Sequence, residues 1–234
     1  MSAITINPDF SVGVNYIGKE KTPALIIDNY CLNIEKLIQQ ALHGVYKVDK
    51  QSYYPGIRSP ISQNTIISLI QPVIEGFHKV LNVPTRLLPA AHPSYFSLIT
   101  KQPDELTAMQ TLPHFDTARP YYFAVLLYLN EGNHGGTGFF RHRKSGLERI
   151  KENQVDSYFA SVQQEVDNSG LSQNGYQIDS NEHYELIHSI PYKPNRMVIY
   201  PGNLLHSTLV DEEKDISDNP AQGRLTANIF LEFQ

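Results

Sequence analysis

The sequence contains only one cysteine, Cys31, among its 234 residues. A lone cysteine cannot form a disulfide within the chain, so disulfide-stabilised scaffolds are excluded and a reducing compartment, the cytoplasm, is expected. Basic residues are also scarce, because 19 Lys and Arg stand against 24 Asp and Glu, a formal net charge of −5. Since binding of nucleic acid through bulk charge requires a basic surface, we expect no nucleic-acid partner.

Long apolar runs are missing as well. The longest ones, such as residues 123–129, are far shorter than the roughly 20 residues that a membrane-spanning helix needs. Residues 1–5 show neither the basic nor the apolar region of a secretory signal, so we expect no membrane partner. Hydrophobic residues make up 41% of the chain and charged residues 18%, which is typical of a globular protein with one core. We therefore predict a single domain over residues 1–234.

Helical periodicity is concentrated in the first third of the chain. Apolar residues recur at spacings of three and four over residues 32–42 and again over residues 66–81. This pattern predicts two amphipathic helices, the second interrupted at Pro72, and residues 1–93 are expected to form a helical N-terminal support. A further helix is predicted over residues 153–170, with Gly170 as its C-cap.

The rest of the chain has a sequence pattern that is typical of short strands. Seven stretches rich in aromatic and β-branched residues are separated by Gly, Pro and Asn: residues 95–100, 122–130, 137–142, 184–192, 196–200, 206–210 and 224–233. Seven short strands in succession favour an antiparallel sandwich or barrel. We predict a mainly β protein with helices (α+β), with a jelly-roll core at residues 94–234. The N-terminal helices should pack on one sheet, and an insertion at about residues 143–189 should carry its helix at the barrel mouth.

His114 and Asp116 form an H-x-D pattern. In an extended chain successive side chains point to opposite faces, so these two share a face and Phe115 points away. A carboxylate and imidazoles on one side of a metal form the facial triad of non-haem Fe(II) oxygenases, which requires a third ligand. Without that ligand, the pattern is also that of a structural pair at the surface or in the core.

The candidate third ligand is His206. It opens a strand shortly after a turn at Pro201 and Gly202, and this turn is expected to aim the side chain inward. A histidine that is hydrogen-bonded at a strand end is the structural alternative. His114, Asp116 and His206 are therefore the predicted metal ligands.

The last strand places Arg224, Thr226 and Asn228 on one face and apolar residues on the other. If the acidic loop at residues 211–223 joins two neighbouring antiparallel strands, His206 and Arg224 are symmetric about its middle and lie side by side. A cation turned into a barrel requires an anion, either an internal Asp or Glu or a bound ligand. A carboxylate ligand suits it, because a guanidinium binds a carboxylate through two hydrogen bonds.

Tyr128 closes a strand whose two faces differ. Alternation puts Ala124, Leu126 and Tyr128 on one face, while the other face is wholly apolar. The phenol is therefore predicted to face the interior. A core tyrosine with one hydrogen-bonded hydroxyl is the structural alternative.

Several other residues compete for functional roles. His134 lies in a probable loop and is a weaker ligand candidate because no carboxylate stands two residues away. Residues 141–143, Arg-His-Arg, could bind a substrate anion or simply be a solvated strand end. The entrance to the site could be lined by Tyr95, Arg58 and Arg119.

The motifs taken together are His114-x-Asp116, Tyr128-Leu129-Asn130, Gly-Gly-Thr-Gly-Phe-Phe at residues 135–140, His206, and Arg224-x-Thr226. Over residues 94–234 they resemble the Fe(II)- and 2-oxoglutarate-dependent dioxygenases, particularly the prolyl-4-hydroxylase-like branch. The chain is also similar to a bacterial set of sequences that share P-H-x-D and G-G-T-x-F-[FY]-R-H. The first resemblance implies a double-stranded β-helix, a jelly roll of the cupin-like kind.

The resemblance also implies roles for individual residues. His114, Asp116 and His206 would bind Fe(II), and Arg224, Thr226 and Tyr128 would bind the carboxylate of the co-substrate 2-oxoglutarate. The gap of 18 residues from His206 to Arg224 is longer than usual in that branch, so the loop is expected to bulge outward without changing the strand pairing.

The activity implied by the resemblance is oxygenation with dioxygen, most simply hydroxylation of an unactivated C–H bond in a small molecule, amino acid or peptidyl residue. A cupin-like Zn or Mn hydrolase or isomerase with the same three ligands is one alternative, and it would not need Arg224, Thr226 or Tyr128. A non-catalytic binding module on the same barrel is another, and it would not need the three metal ligands together.

Overall fold

A computed structural model describes residues 4–50, 52–169 and 175–234 of the chain. Its strands are β1 (Ser11–Ile17), β2 (Thr22–Asp28), β3 (Lys47–Val48), β4 (Gly56–Pro60), β5 (Pro89–Ala91), β6 (Tyr95–Ile99), β7 (Tyr122–Tyr128), β8 (Thr137–His142), β9 (Tyr184–Ile190), β10 (Met197–Pro201), β11 (His206–Thr208) and β12 (Thr226–Phe233). Its α-helices are α1 (Ile34–Leu42), α2 (Gln63–Ile70), α3 (Ile74–Lys79) and α4 (Val155–Ser169). Short 3-10 helices cover Gln71–Val73, Pro103–Glu105, Ala108–Thr111 and Glu152–Gln154.

The strands form two antiparallel sheets. The large sheet has nine strands in the order β1-β2-β10-β7-β12-β6-β4-β3, with β5 also paired to β12. The small sheet has the order β11-β8-β9. The two sheets pack against each other through buried side chains of both, among them Phe139 and Tyr200, whose rings meet edge to face at a centroid distance of 5.1 Å. The architecture is thus α+β, with most of its regular structure in antiparallel sheets.

The main core lies between the large sheet and the N-terminal helices. On β12 the apolar face that the alternation predicts is buried against α1, α2 and α3, through the alternate residues Leu225, Ala227, Ile229 and Leu231. The helix predicted over residues 66–81 is interrupted where expected, because Pro72 lies in the 3-10 turn that separates α2 from α3. The hydroxyl of Ser62 starts α2 by accepting a hydrogen bond from the N–H of Thr65 at 3.2 Å.

Helix α4 packs on the small sheet. Tyr158 and Val162 are buried together with Phe140, Tyr184 and Leu205. Phe159 of α4 also contacts Phe115, with 5.9 Å between ring centroids. The helix at the barrel mouth therefore stays a prediction: the described part of α4 packs on the small sheet and also contacts Phe115, a residue that lines the cavity described below. The predicted C-cap, Gly170, lies outside the described residues.

All seven predicted strands are present, whereas the hairpin expected between the last two is not. β11 pairs with β8 in the small sheet, and β12 lies in the large sheet between β7 and β6. The acidic loop crosses from one sheet to the other, so His206 and Arg224 are not paired neighbours as the symmetry argument predicted. The sequence analysis also missed β1 and β2, which pair as a hairpin at one edge of the large sheet. Among the described residues, no helix is long and apolar enough to cross a membrane.

Candidate metal centre

His114 and His206 face each other on two chain segments that meet in an antiparallel bridge. The N–H of His114 donates to the carbonyl of His206 at 2.9 Å, and the N–H of His206 donates to the carbonyl of His114 at 2.8 Å. Residues directly opposite each other in such a bridge project to the same side. Their imidazole rings consequently lie together, with centroids 4.3 Å apart.

Asp116 joins this pair from two residues along the chain. Its N–H donates to the carbonyl of Gly202 at 2.7 Å, which anchors the segment after His114 against the turn before β11. Its Oδ1 lies 3.9 Å from Nε2 of His206. One ligand atom from each of His114, Asp116 and His206 lies within 4.8 Å of the other two, so the three predicted ligands form a cluster that could hold a metal ion.

Hydrogen bonding prepares His206 to act as a ligand. Its Nδ1 lies 2.8 Å from the carbonyl of Leu204, a contact that only a protonated Nδ1 can make as a donor. In the neutral imidazole Nε2 then carries the lone pair, and Nε2 is the atom on the side of Asp116. An Nδ1–H held by a backbone carbonyl is a common way to orient a metal-binding histidine.

Burial governs the electrostatics of the cluster. Oδ2 of Asp116 is buried without a hydrogen-bond partner among the described residues. Burial raises the pKa of Asp116, and the nearby His206 and Arg58 offset this only in part. His114 lines the cavity described below, and desolvation, followed by the charges of His206 and Arg58, holds its pKa well below the ordinary value. Two imidazoles and an unpaired carboxylate oxygen are a donor set that fits a divalent metal ion.

Gly202 leaves room for the Asp116 carboxylate. A Cβ atom at this position would stand 2.7 Å from Cδ1 of Tyr122 and 3.1 Å from Oδ2 of Asp116. Both distances are shorter than ordinary van der Waals contact, so a methyl group would push the carboxylate or the ring aside. The requirement for glycine here comes from the close approach of Asp116.

We expect Gly202→Ala to lower the affinity for Mn(II) about 10- to 100-fold, the range found when groups that orient metal ligands are altered. The measurement is anaerobic calorimetric titration of the purified protein with Mn(II). Gly13→Ala is the matched control, because a Cβ there would meet only the carbonyl of Ile26 at 3.9 Å. If Gly202→Ala bound Mn(II) as tightly as the wild type, Asp116 would not depend on this glycine.

The cluster opens into a cavity of about 370 Å³ between the two sheets. The cavity is lined by residues of the large sheet, the small sheet and the loops around them: His114, Phe115, Asp116, His206, Thr208, Thr137, Arg224, Asn228, Phe230, Tyr122, Tyr200, Arg58, Tyr54 and Tyr176, with others. Arg224 therefore reaches the same cavity as the three candidate ligands, although it comes from the other sheet. Tyr128 and Thr226 are fully buried and do not line the cavity among the described residues.

Arg224 is buried, with 2% of its surface exposed. Its Nε donates to the carbonyl of Gly135 at 2.6 Å, and its Nη2 is buried without a hydrogen-bond partner in the described part of the chain. In that same part of the chain, no Asp or Glu lies within salt-bridge distance of its guanidinium. The alternative that Arg224 pairs with an internal acid is therefore not supported, and an unused donor is left at the cavity.

Tyr128 and Thr226 lie behind Arg224. The guanidinium carbon of Arg224 lies 5.4 Å from the ring centroid of Tyr128, and its charge partly offsets the rise in the pKa of Tyr128 that burial causes. The Tyr128 hydroxyl is 2.8 Å from the hydroxyl of Thr137, which lines the cavity. Thr226 is the direct strand partner of Tyr128. The three residues predicted to hold a carboxylate are thus neighbours, and Arg224 is the one that reaches the cavity.

The sequence analysis missed the residue that orients Arg224. Asp215 is fully buried, although it belongs to the acidic loop that was expected to bulge outward. Its carboxylate accepts hydrogen bonds from the N–H of Gly135 at 3.0 Å and the N–H of Asp211 at 2.9 Å, and it pairs with His134 at 2.9 Å. Because Gly135 in turn accepts from Arg224, Asp215 fixes the backbone that holds the guanidinium. Nothing in the sequence distinguishes Asp215 from the other acids of the loop.

The other competing residues are engaged elsewhere. His134 pairs with Asp215, as above, and is not part of the ligand cluster. Arg141 forms ion pairs with Glu148 and Glu185, at 2.5 and 2.6 Å, so it belongs to an ionic network and not to an open anion site. Arg119 pairs with Glu232 at 2.7 Å and does not line the cavity. Of the proposed entrance residues, Arg58 does line it.

A protein-family model matches residues 8–231, and it is described as a family of unknown function, DUF6445. The chain belongs to this family. A search of curated proteins found no match for this DUF6445 chain. Among solved structures it is similar to a protein described as a novel N-substituted L-amino acid dioxygenase from Burkholderia ambifaria AMMD. That similarity has 9% identity and a TM-score of 0.40, covers 100% of this chain and 95% of the other, and is too low to equate the two folds.

Proposed function

We propose that this chain is an Fe(II)- and 2-oxoglutarate-dependent oxygenase. The observation that carries the proposal is the presence, in one cavity, of a two-histidine, one-carboxylate cluster and a buried arginine that has an unused donor. The cluster alone would suit several metal enzymes. The arginine across the cavity is what a metal-binding dicarboxylate needs at its far end.

His114, Asp116 and His206 would hold the iron. This donor set is that of the facial triad, which leaves positions on one side of the metal open to ligands. An Fe(II) ion bound there would supply the oxidising chemistry, in which 2-oxoglutarate and dioxygen yield succinate and CO2 while one oxygen atom enters a substrate C–H bond. The protein contributes the orientation of the three ligands, through the His206–Leu204 hydrogen bond and the backbone bridge between the two histidines.

Arg224 would bind the distal carboxylate of 2-oxoglutarate. Its Nε is tied to Gly135, so the guanidinium is already oriented, and little side-chain freedom is lost when a ligand binds. Thr226 and Tyr128 would support the same carboxylate, since both are strand neighbours beside the guanidinium. Thr137, whose hydroxyl meets Tyr128 and faces the cavity, would help to close this end.

The cavity walls favour an organic substrate beside these polar groups. Aromatic side chains, among them Tyr122, Tyr200 and Phe230, line much of the cavity and would limit the access of water during oxidation. Hydroxylation of a small molecule, amino acid or peptidyl residue is the outcome that we propose. We further propose that the two facing antiparallel sheets represent a distorted jelly roll.

The proposal is tested by anaerobic reconstitution of the purified protein with Fe(II) and 2-oxoglutarate. We expect a weak visible absorption band of the chelated complex and, after admission of air, slow formation of succinate without added substrate. Omitting Fe(II) should abolish both signals, as should Asp116→Ala. Metal binding without any response to 2-oxoglutarate would favour a metal hydrolase or isomerase instead, and the absence of metal binding would favour a binding module.

A further inference from the structure

Arg58 is a second arginine that lines the cavity, and the proposed function does not use it. It lies on β4, and its strand partner is Ser97 of β6. Ser97 is in turn paired with Thr226 of β12, and Thr226 with Tyr128 of β7. Since directly paired residues in an antiparallel sheet share a face, these four side chains form one polar row on the same face of the large sheet, and of the four only Arg58 lines the cavity among the described residues. Arg58 stands at the end of the row near the sheet edge.

The guanidinium of Arg58 is held in place before any ligand arrives. Its Nη1 donates to the carboxylate of Asp49 at 3.1 Å and to the hydroxyl of Ser52 at 3.2 Å. The ring of Tyr54 lies against it, 4.3 Å from centroid to guanidinium carbon, and the ring of Tyr95 lies 5.3 Å away. Contacts of this kind restrict both the position and the plane of the group.

One edge of this guanidinium remains available. Its Nε is buried and has no hydrogen-bond partner among the described residues. In any arginine, Nε and the neighbouring Nη2 form a two-pronged donor edge that matches the two oxygens of a carboxylate. Because Nη1 takes Asp49 and Ser52 on the other edge, a ligand in the cavity would meet the Nε edge. A buried donor that stays unused costs stability, so it is expected where a ligand completes the site.

We propose that Arg58 binds a carboxylate of the oxygenase substrate, and hence that the enzyme acts on monocarboxylates; this rests on the proposed function. The two arginines divide between co-substrate and substrate by depth. Arg224 is 2% exposed, whereas the side chain of Arg58 is 13% exposed. A ligand that must bind first suits the deeper position, and one that arrives later suits the position near the opening.

The surroundings of Arg58 place it at the entrance. Its partner Ser52, with Tyr53, Tyr54, Met109 and Gln110, lines both the main cavity and an adjoining second one of about 380 Å³. A substrate anchored at Arg58 would therefore have one end at the opening and the rest directed toward the metal ligands. Its charge is limited to one, because Asp49 already neutralises part of Arg58, so a carboxylate fits better than a phosphate dianion.

The test uses anaerobic Mn(II)-loaded protein and a probe panel of straight-chain monocarboxylates from butanoate to octanoate together with 4-phenylbutyrate. Each acid is paired with its primary amide, which has nearly the same shape but no charge. Binding is measured by calorimetric titration with and without saturating 2-oxoglutarate. We expect the tightest acid to bind at least about tenfold more tightly than its amide, since the contact is a charge-assisted, two-pronged one.

Arg58→Gln should weaken that acid about 10- to 100-fold, to the level of its amide, while its effect on 2-oxoglutarate stays within about twofold. Arg58→Lys keeps the charge but loses the paired donors of the guanidinium. Its affinity for the acid should therefore lie between those of Arg58→Gln and the wild type. Arg224→Gln should weaken the binding of 2-oxoglutarate and change the affinity for the acid by no more than about twofold. Arg86→Gln, at an exposed arginine, should change neither affinity. The melting temperature of each apoprotein shows that the variants are folded.

Three results would overturn the inference: no acid of the panel binds better than its amide, Arg58→Gln leaves acid binding unchanged, or Arg58→Gln weakens 2-oxoglutarate in place of the acid. The last result would make Arg58 the co-substrate residue. If the wild type bound no 2-oxoglutarate but still bound an acid through Arg58, the proposed oxygenase function would fail while the carboxylate site would stand.

Discussion

Replacement of any one of His114, Asp116 and His206 by alanine should abolish stoichiometric binding of Fe(II) or Mn(II). One ligand atom from each residue lies within 4.8 Å of the other two, so one ion would be held by all three together. Altering a group that merely orients a ligand costs about 10- to 100-fold in affinity, so removing the ligand itself should cost more than about 100-fold. Anaerobic titration, with the metal content measured independently, gives the stoichiometry.

The same variants should fold normally as apoproteins. Asp116 presents a buried carboxylate oxygen without a partner, and such a group destabilises the empty protein, so Asp116→Ala should keep or raise the melting temperature measured without metal. His43→Ala, at a histidine whose ring bonds within its own helix terminus, is the control and should leave metal binding intact. Stoichiometric binding retained in His206→Ala would rule out the triad, and retention in Asp116→Ala would point to a site that uses another ligand.

Arg224→Ala should weaken 2-oxoglutarate about 30- to 1000-fold and leave Mn(II) affinity unchanged. A desolvated, two-pronged bond between guanidinium and carboxylate contributes on the order of 2 to 4 kcal/mol, which corresponds to that range. The affinity of Arg224→Lys for 2-oxoglutarate should be intermediate, because lysine keeps the charge but lacks the paired donors of the guanidinium. Tyr128→Phe should lower the affinity for 2-oxoglutarate less than either Arg224 variant, since at most one hydrogen bond is lost.

The measurement is calorimetric titration of 2-oxoglutarate into anaerobic Mn(II)-loaded protein, with succinate, which lacks the chelating keto acid, as the control ligand. Arg86→Gln serves as the surface arginine control. Equal affinity in Arg224→Ala and the wild type would reduce Arg224 to a structural residue held by Gly135. In that case a hydrolase or a binding module would explain the metal cluster better than an oxygenase.

Much of the fold could be predicted because its signals are local. The seven predicted strands are present because alternation of apolar and polar residues is set by the two-residue repeat of an extended chain, and β12 shows it except at Phe230. The break at Pro72 follows from the missing amide hydrogen of proline. The hairpin of β1 and β2 escaped notice because helical spacing dominated the interpretation of residues 1–93.

What could not be predicted is which strands become neighbours. The symmetry about the acidic loop suggested that His206 and Arg224 sit side by side, but β11 and β12 belong to different sheets. Pairing depends on contacts between residues far apart in the chain, and loop composition does not report them. For the same reason the sequence predicts the helix α4 but not its packing partners, which are side chains of the small sheet and Phe115.

The amino-acid sequence by itself determined the chemistry available to this protein: an H-x-D pair on one face of an extended segment, a histidine after a Pro-Gly turn, and a strand with Arg224 on its polar face. Only the tertiary structure decided that these groups share one cavity, that Asp215 turns inward to hold the backbone beside Arg224, and that Arg58 reaches the same space from β4. The physical reason is that side-chain identity and local alternation depend only on neighbouring residues in the sequence. The cavity, in contrast, is formed by two sheets whose packing brings together residues more than a hundred positions apart.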